Sequence, residues 1–194
     1  DQLLVSLPIV GCVFRKTYRD GVNERNASRL VSADSLVINY HSSWNLTTRM
    51  TEHVALYPNE VVERVRGGKF LDKEFGQPTP AFDKVKQNQD SRDPDIPHLF
   101  LEQHRREDVD GDGYKEPYVV TVHYDTRQVV RIVARFDIDG IHTNDKKQIT
   151  RIEPTQYYTR YLFFPAFDGG VYGMGFGSLI GPINKVINTN LNQL

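Results

Sequence analysis

Residues 164–184 read FPAFDGGVYGMGFGSLIGPIN, and this stretch joins two different sequence patterns. The preceding run, Tyr157–Phe164, is rich in aromatic residues, which is typical of a β-strand. After the glycines, large apolar residues recur three and four positions apart, the spacing of one helix face. These residues are Ile180, Ile183, Ile187, Leu191 and Leu194. The stretch therefore predicts a glycine-rich turn that leads from a sheet into a C-terminal amphipathic helix, with Pro182 at the first helical position.

Two interpretations compete for the glycines of this turn, and the first is a nucleotide site. A dinucleotide fingerprint places a third glycine three positions after Gly175 and an acidic residue about 20 positions further on. Ser178 occupies that third place, and no acidic residue follows Asp168. A P-loop would need Gly-Lys-Ser or Gly-Lys-Thr, which does not occur in the chain. A nucleotide-using enzyme is therefore the weaker interpretation.

The second interpretation is structural. Glycines let a loop approach another backbone closely and adopt left-handed dihedral angles that other residues avoid. The glycines concerned are Gly169, Gly170, Gly173, Gly175, Gly177 and Gly181. We expect them to serve the junction between sheet and helix, so that Gly175→Ala damages folding or assembly.

Outside this stretch the patterns indicate more strands than helices. Alternation within Ile9–Tyr18 places Cys12 and Phe14 on one face of a strand. Glu60–Arg66 has helical spacing and ends at two glycines, as a helix C-cap does. Further strands are predicted at 35–40, 99–104, 118–123 and 129–136, the last two as a hairpin, with one or two more within 148–164. We predict an α+β fold, a mixed or antiparallel β-rich domain with a few helices.

Two segments near these elements carry prolines that bear on the prediction. Leu3–Leu7 is apolar and stops at Pro8, which indicates the end of a helix or a buried connector. Residues 72–97 are polar, contain four prolines and show no periodicity, which predicts a long exposed loop or a disordered excursion. With no repeat or linker elsewhere, residues 1–194 are predicted to form a single β-rich fragment.

An acidic stretch is the candidate metal site. Asp108, Asp110 and Asp112 alternate along the chain and are followed by glycine, as in the first half of a calcium loop. Val119 stands where an EF-hand needs a bidentate glutamate, so an EF-hand is excluded. A partial calcium site completed by Glu116 or by the Tyr114 carbonyl is one interpretation. The other is an acidic turn between strands, because Asp and Gly favour tight backbone geometry.

Motifs for catalysis are missing from the sequence. The near match to a serine elbow around Ser178 is broken by Phe176. The histidines show no H-E-x-x-H or other close ligand pairing, and each is interpreted as a surface or strand residue. They are His41, His53, His98, His104, His123 and His142. We therefore expect a protein that is not an enzyme and has no cofactor apart from the calcium considered above.

The composition sets limits on the class of protein. The 194 residues carry a net charge of −1, so no basic field indicates sequence-independent binding of nucleic acid. Cys12 is the only cysteine, which excludes an internal disulfide and suits folding in a reducing cytosol. No run approaches the roughly 18 apolar residues of a membrane span. The chain has no initiator Met and stops inside a helical pattern, from which we expect a fragment of a longer protein.

Three stretches together resemble the portal proteins of tailed bacteriophages, in the group that includes the P22-like portals. Leu7–Tyr18 (LPIVGCVFRKTY) is similar to the family's helix-to-strand junction, and Asp108–Val122 (DVDGDGYKEPYVVTV) resembles its acidic turn and following strand. Phe163–Leu194, with Tyr-Gly-Met-Gly-Phe-Gly, is similar to the glycine-rich turn and the helix after it. The resemblance covers most of the chain except the polar segment 72–97.

This resemblance implies a virion protein that forms a ring, typically dodecameric, at one vertex of the capsid. Double-stranded DNA passes through the channel of such a ring. Its expected partners are other portal subunits, the capsid, the terminase motor and the tail or adaptor proteins. The chain would be the wing region of one subunit, folded in the bacterial cytoplasm or encoded by a prophage. A calcium-dependent binding module that uses the Asp108–Asp112 loop is the alternative.

Overall fold

The computed structural model describes residues 1–39, 44, 47–78, 96–146 and 148–193. In this part of the chain the fold is α+β with antiparallel sheets and a C-terminal helix, which confirms the predicted fold class. The helices are α1 (Gln2–Val10), α2 (Pro58–Arg66) and α3 (Phe176–Leu191). The strands are β1 (Cys12–Asp20), β2 (Arg25–Ser32), β3 (Leu36–Ile38), β4 (Met50–Leu56), β5 (His98–Glu107), β6 (Glu116–His123), β7 (Val129–Ala134), β8 (Ile141–Thr143), β9 (Ile149–Ile152) and β10 (Tyr158–Leu162).

Contacts between residues divide the chain into two compact units. The first combines Asp1–Arg19, Asn26–Thr47 and Gln156–Leu194, and the second combines Asp20–Arg25 and Thr48–Thr155. The first unit therefore takes its residues from both ends of the chain. Periodicity in the sequence reports local structure and does not record which distant strands meet, so it does not reveal this division.

The first unit is built around β1, the central strand of a sheet in the order β10-β1-β2. β1 and β10 run antiparallel, with Cys12 opposite Leu162 at one end of the ladder. Phe14 is fully buried, and its ring stacks on Trp44 with the centroids 5.4 Å apart. Cys12 and Phe14 are thus buried on the face that the alternation predicts, and Val13 on the other face is buried as well. A strand covered on both faces defines the core of this unit.

Lys16 lies on the same buried face of β1 although it carries a charge. Its ammonium nitrogen is 5.4 Å from the ring centroid of Tyr18 and equally far from that of Tyr158. Attraction between a cation and an aromatic face offsets part of the cost of taking the ammonium group out of water. The two tyrosines therefore explain how a lysine is tolerated in this core.

In the second unit, β4, β5, β6 and β7 are neighbours in that order, and each pair is antiparallel. Leu56, Val61, Phe100 and Val130 form the buried core cluster. Val61 comes from α2, which ends before Gly67 as the sequence predicts and begins at Pro58, two residues before the predicted start at Glu60. The predicted hairpin is also present, as strands β6 and β7.

Two prolines lie inside helices rather than at their boundaries. Leu3–Leu7 does lie near the end of a helix, as one of its two interpretations predicts, but the helix ends two residues after Pro8, and the prediction of Pro182 as the first helical position is wrong. α1 continues through Pro8, and the Gly11 N–H donates to the Leu7 carbonyl at 2.8 Å to close the helix. α3 begins at Phe176, so Pro182 lies in its interior. A proline removes one hydrogen bond of the helix ladder, and contacts outside the helix decide whether the helix survives that loss.

Strands β2, β4 and β8 were not predicted. β4 places the charged residue Glu52 at a fully buried position, which interrupts the apolar alternation by which a strand is recognised. β2 is mostly exposed and polar, and β8 has three residues. Pairing with neighbouring strands, rather than local pattern, defines these elements.

The predicted loop at 72–97 falls mainly on residues 79–95, which lie outside the described residues. Residues 72–78, 96 and 97 are in neither helix nor strand. Phe75 nevertheless packs against the core cluster of the second unit, with its ring centroid 5.8 Å from that of Phe100. The described beginning of this segment is therefore an exposed stretch without helix or strand that is anchored at Phe75.

Candidate functional site

The acidic turn between β5 and β6 is held together by its own carboxylates. Asp108 accepts hydrogen bonds from the backbone N–H groups of Gly111 and Gly113, at 2.7 and 3.0 Å. Both glycines have positive φ, 77° and 92°, a conformation that residues with a side chain rarely adopt. The segment from Asp108 to Tyr114 is therefore a tight Asp- and Gly-dependent turn, as one of the two interpretations predicts.

Three of the four predicted metal ligands lie together at this turn. One carboxylate oxygen from each of Asp108, Asp110 and Asp112 lies within 4.8 Å of the other two. Carboxylate oxygens suit Ca²⁺, which takes six to eight oxygen ligands at about 2.3–2.6 Å. Three carboxylates supply the smaller part of such a shell, and the same side chains also accept hydrogen bonds from the turn.

Glu116, the fourth predicted ligand, lies outside this group of carboxylates. It is the first residue of β6, is buried, and stands opposite Glu107 in the ladder. Within the described part of the chain, its Oε2 atom has no hydrogen-bond partner. Burial raises the pKa of the nearby Tyr118 hydroxyl, and the charges of Glu116 and Asp110 raise it further. Glu116 thus belongs to the sheet rather than to the acidic turn.

Tyr114 fixes the acidic turn to another strand of the same unit, a contact that the sequence did not predict. Its hydroxyl accepts a hydrogen bond from the Ile152 N–H in β9 at 3.0 Å. Two sets of hydrogen bonds therefore hold the turn. Those to the Asp108 carboxylate lie within the turn, and the one to the Tyr114 hydroxyl connects the turn to β9.

Asp108→Ala is expected to lower the free energy of unfolding by about 1–2 kcal/mol, because two backbone N–H groups lose a charged acceptor. Asp110→Ala is the matched control, since Asp110 accepts one bond of 3.3 Å and is exposed. The control should change stability by less than about 0.5 kcal/mol. Chemical denaturation in the absence of calcium measures both, and equal losses would contradict this account of the turn.

The glycine-rich turn packs backbone against backbone. A Cβ atom on Gly175 would overlap the Ile9 carbonyl oxygen, and one on Gly173 would overlap the Gly11 carbonyl oxygen. A Cβ on Gly11, which has φ 86°, would in turn overlap the backbone of Met174. The end of α1 and the start of α3 therefore approach as closely as they do because these three positions have no side chain. The predicted close approach to another backbone is confirmed.

Left-handed dihedral angles play a smaller part in this turn than predicted. Of the glycines from 169 to 181, all of them described, Gly169 alone has positive φ, at 72°. Gly175 has φ −94° and ψ 176°, an extended conformation that any residue can adopt. The prediction of left-handed dihedral angles is therefore wrong for the other glycines, and Gly173 and Gly175 instead leave room for the backbone of α1 and of Gly11.

Several N–H groups of the turn are already used inside it. The Met174 N–H donates to the Phe164 carbonyl at 2.8 Å, and the Gly170 N–H donates to an Asp168 carboxylate oxygen at 2.8 Å. A phosphate-binding loop holds its ligand with such backbone N–H groups. Their engagement within the turn supports the structural interpretation of the glycines.

Cys12 lies beside this junction as a free thiol that is almost fully buried. Burial raises the pKa of the thiol above its ordinary value. Since the thiolate is the reactive form of cysteine, this environment suits a residue that packs rather than one that reacts.

His98 and His123 form a pair that sequence reasoning missed. Nδ1 of His98 lies 3.2 Å from Nε2 of His123, and both side chains are buried. The residues are 25 positions apart, and a search for short ligand spacings does not connect them. The sequence did contain one indication of this pair. Each histidine alternates with apolar residues of its own strand, which places both side chains on the inner face of the sheet.

Helices α1 and α3 present uncovered apolar residues. Eight of these side chains are between 50% and 71% exposed: Leu4, Val5, Ile9, Ile180, Ile183, Val186, Ile187 and Leu191. α1 contains no charged residue, and Lys185 is the single charged residue of α3. Contiguous exposed apolar residues of this kind mark surfaces that contact another protein or another element.

The sequence matches no protein-family model, and no curated protein matches it significantly. Of the described helices, none combines the length and the apolar character needed to cross a membrane.

Proposed function

We propose that this chain is a structural, non-enzymatic part of a bacteriophage portal ring, belonging to the wing region of one subunit. One observation carries the proposal. Each of the three stretches that resemble portal proteins forms the kind of element expected from the resemblance. Leu7–Tyr18 is the junction of α1 and β1, Asp108–Val122 is an acidic turn followed by β6, and Phe163–Leu194 holds the glycine turn and α3. Each stretch is weakly specific alone, and their order along one chain supports the family.

The uncovered apolar residues of α1 and α3 support a role inside a larger assembly. A protein that works alone in water rarely leaves such a surface open. In the proposed ring these helices contact other portal subunits or the remainder of their own subunit. The capsid, the terminase and the tail proteins are the further partners that this function requires.

The charge of the chain agrees with a conduit for DNA. Each phosphate that a protein neutralises strengthens its grip on DNA and increases the salt dependence of binding. A net charge of −1 leaves the chain without a strongly attractive field. Double-stranded DNA can therefore pass through the intact ring without being held by this region.

The proposal is tested by locating the protein in phage particles. An antibody raised against the 194-residue chain should label a single vertex of virions made by the phage or prophage that encodes it, as seen by electron microscopy. Labelling of the whole capsid surface, of the tail fibres, or of no particle after mild disruption would overturn the proposal. A reading frame that continues into long helices beside a gene for a large terminase would support it.

The apolar face of α3 gives a prediction about association. Ile183→Asp together with Ile187→Asp should weaken self-association of the chain at least tenfold, because two charges are placed on exposed apolar positions. Asn184→Asp with Asn188→Asp is the matched control, with the same added charge and spacing on adjacent exposed positions of the same helix. Sedimentation over a range of concentrations measures the effect. Equal weakening in both variants would mean that charge alone, and not the apolar face, is responsible.

A calcium-dependent binding module is the second candidate function, favoured by the three carboxylates within 4.8 Å of one another. Calorimetric titration with calcium distinguishes the two candidates. Saturable binding that is lost in Asp110→Asn would favour the calcium module. Absence of binding at millimolar calcium would remove it and leave the portal proposal in place.

A further inference from the structure

A chain of hydrogen bonds runs through the buried end of the β5–β6 pair. Nε2 of His123 faces Nδ1 of His98 at 3.2 Å. Nδ1 of His123 lies 2.9 Å from the hydroxyl oxygen of Thr126 and also accepts from the Thr126 backbone N–H at 3.4 Å. Thr126 belongs to the turn between β6 and β7, so the chain of bonds connects that turn to β5.

The directions of these hydrogen bonds follow from the backbone N–H of Thr126, which can donate but cannot accept. A backbone N–H only donates, so Nδ1 of His123 carries no proton and accepts from Thr126. A neutral imidazole with a bare Nδ1 has its proton on Nε2. His123 therefore donates to Nδ1 of His98, whose proton is on its own Nε2. Both rings are neutral in this arrangement, and each has one defined tautomer.

An added proton costs at least one of these hydrogen bonds. On Nδ1 of His98 it would oppose the Nε2–H of His123, at a separation of 3.2 Å. On Nδ1 of His123 it would oppose the backbone N–H of Thr126, and the Thr126 hydroxyl, 2.9 Å away, would have to turn from donor to acceptor. Protonation of His98 therefore breaks the bond between the two rings, and protonation of His123 breaks its bonds from Thr126.

The surroundings of the pair are apolar and aromatic. His98 and His123 are 6% and 0% exposed. The Phe75 ring centroid lies 5.0 Å from that of His123 and 6.0 Å from that of His98, and Phe100 contacts His123 at 5.1 Å. These rings come from the segment after α2 and from β5, and they cover the pair where a charged imidazolium would need water.

We propose that His98, His123 and Thr126 form an acid-sensitive latch, which holds the β6–β7 turn and Phe75 against the core at neutral pH and releases them in mild acid. Release separates the hydrogen-bonded groups and admits water to the two imidazoles. The proposal concerns the second unit alone and does not depend on the portal function.

The charged group that acts on both rings is Asp125, which lies in the released turn. Its carboxylate raises the pKa of each histidine, but desolvation by burial is the larger effect and lowers both pKa values. Each ring also faces the other, and His98 lowers the pKa of His123 further. The groups that face the pair from β5 and from the segment after α2 are the uncharged rings of Phe100 and Phe75.

The direction of the pH effect follows from these shifts. A histidine in the open state titrates near its ordinary pKa of about 6.5, whereas the closed state keeps both rings neutral to lower pH. The closed state is therefore fully stable above about pH 6.5 and loses stability as the pH falls below that value. Each proton taken up on opening changes the opening equilibrium by about tenfold per pH unit.

Amide hydrogen exchange of the whole chain tests the latch. The reporters are the N–H groups of His123 and Tyr124, which donate to Gln128 and Leu99 at 2.9 Å. Between pH 7 and pH 5, after correction for intrinsic exchange, their protection should fall by about tenfold per pH unit for each proton taken up. The Arg135 N–H, bonded to Pro117 at the other end of the same hairpin, should lose less protection.

Two variants separate this pair from other titrating groups. His98→Gln with His123→Gln should remove the pH dependence of the reporters. His142→Gln, at an exposed histidine, should keep the wild-type profile. The proposal is overturned if the double variant retains the wild-type pH dependence, or if the wild type shows none. Should the double variant fail to fold, NMR titration of the wild type decides. Pair pKa values below 6.5 with the proton of His123 on Nε2 support the latch, and a pKa of 6.5 or higher or the other tautomer refutes it.

Discussion

Gly175→Ala is expected to lower the free energy of unfolding of the first unit by about 3 kcal/mol or more. The added Cβ would overlap the Ile9 carbonyl oxygen and lie 2.9 Å from that of Pro8. Both atoms belong to the backbone of α1, so a side-chain rotation cannot relieve the overlap. Either α1 or the start of α3 must move, which disturbs the whole junction between the two helices.

Thermal denaturation should show this loss as a decrease in Tm of roughly 6–12 °C. Gly177→Ala, two residues further along, is the matched control because no atom lies within 4 Å of the position that its Cβ would occupy. This control should leave stability unchanged or raise it by up to about 1 kcal/mol, since alanine favours a helix more than glycine does. Similar losses in both variants would contradict the assignment of Gly175 to backbone packing.

Phe100→Ala is expected to destabilise the second unit by about 3–5 kcal/mol. Phe100 is fully buried in the core cluster, and its ring contacts Phe70, Phe75 and His123 at centroid distances between 5.1 and 5.8 Å. Truncation removes a large apolar surface from the core and leaves a cavity that the surrounding strands fill only in part. The loss should be largest for β5 and its neighbours.

Phe167→Ala is the control for this substitution, because the same side chain is removed from a position that is 91% exposed. Its effect should stay within about 0.5 kcal/mol. Urea denaturation monitored by hydrogen exchange of β5 amides reports on the second unit specifically. A loss below about 1 kcal/mol in Phe100→Ala would show that Phe100 is not a central core residue.

Local pattern predicts a good part of this fold. Spacing of Ile183, Ile187 and Leu191 predicts α3, and the apolar runs on either side of the turn at 124–128 predict the β6–β7 hairpin. Local pattern fails where distant contacts decide. Glu52 is buried within β4, where its own polarity would not place it, and Pro182 is accommodated in a helix that starts at Phe176, before the predicted first position.

The candidate sites also divide into residues that are close in sequence, which local pattern brings together, and residues that only distant contacts bring together. The three aspartates of the acidic turn are close in sequence, so their proximity is predictable from the chain alone. Glu116 looked equally near, but the strand that begins there directs it into the sheet. His98 and His123 meet because β5 and β6 pair, and register between strands is not encoded in a short spacing.

The split composition of the first unit has a consequence for its biosynthesis. β1 leaves the ribosome before its partner β10, which follows about 140 residues later, a delay of roughly 7–28 s at typical translation rates. Residues Thr48–Thr155 can collapse during that interval, whereas β1 still lacks β10 and α1 still lacks α3. α1 and β1 are therefore exposed to chaperones and to aggregation until the glycine turn emerges and closes the unit.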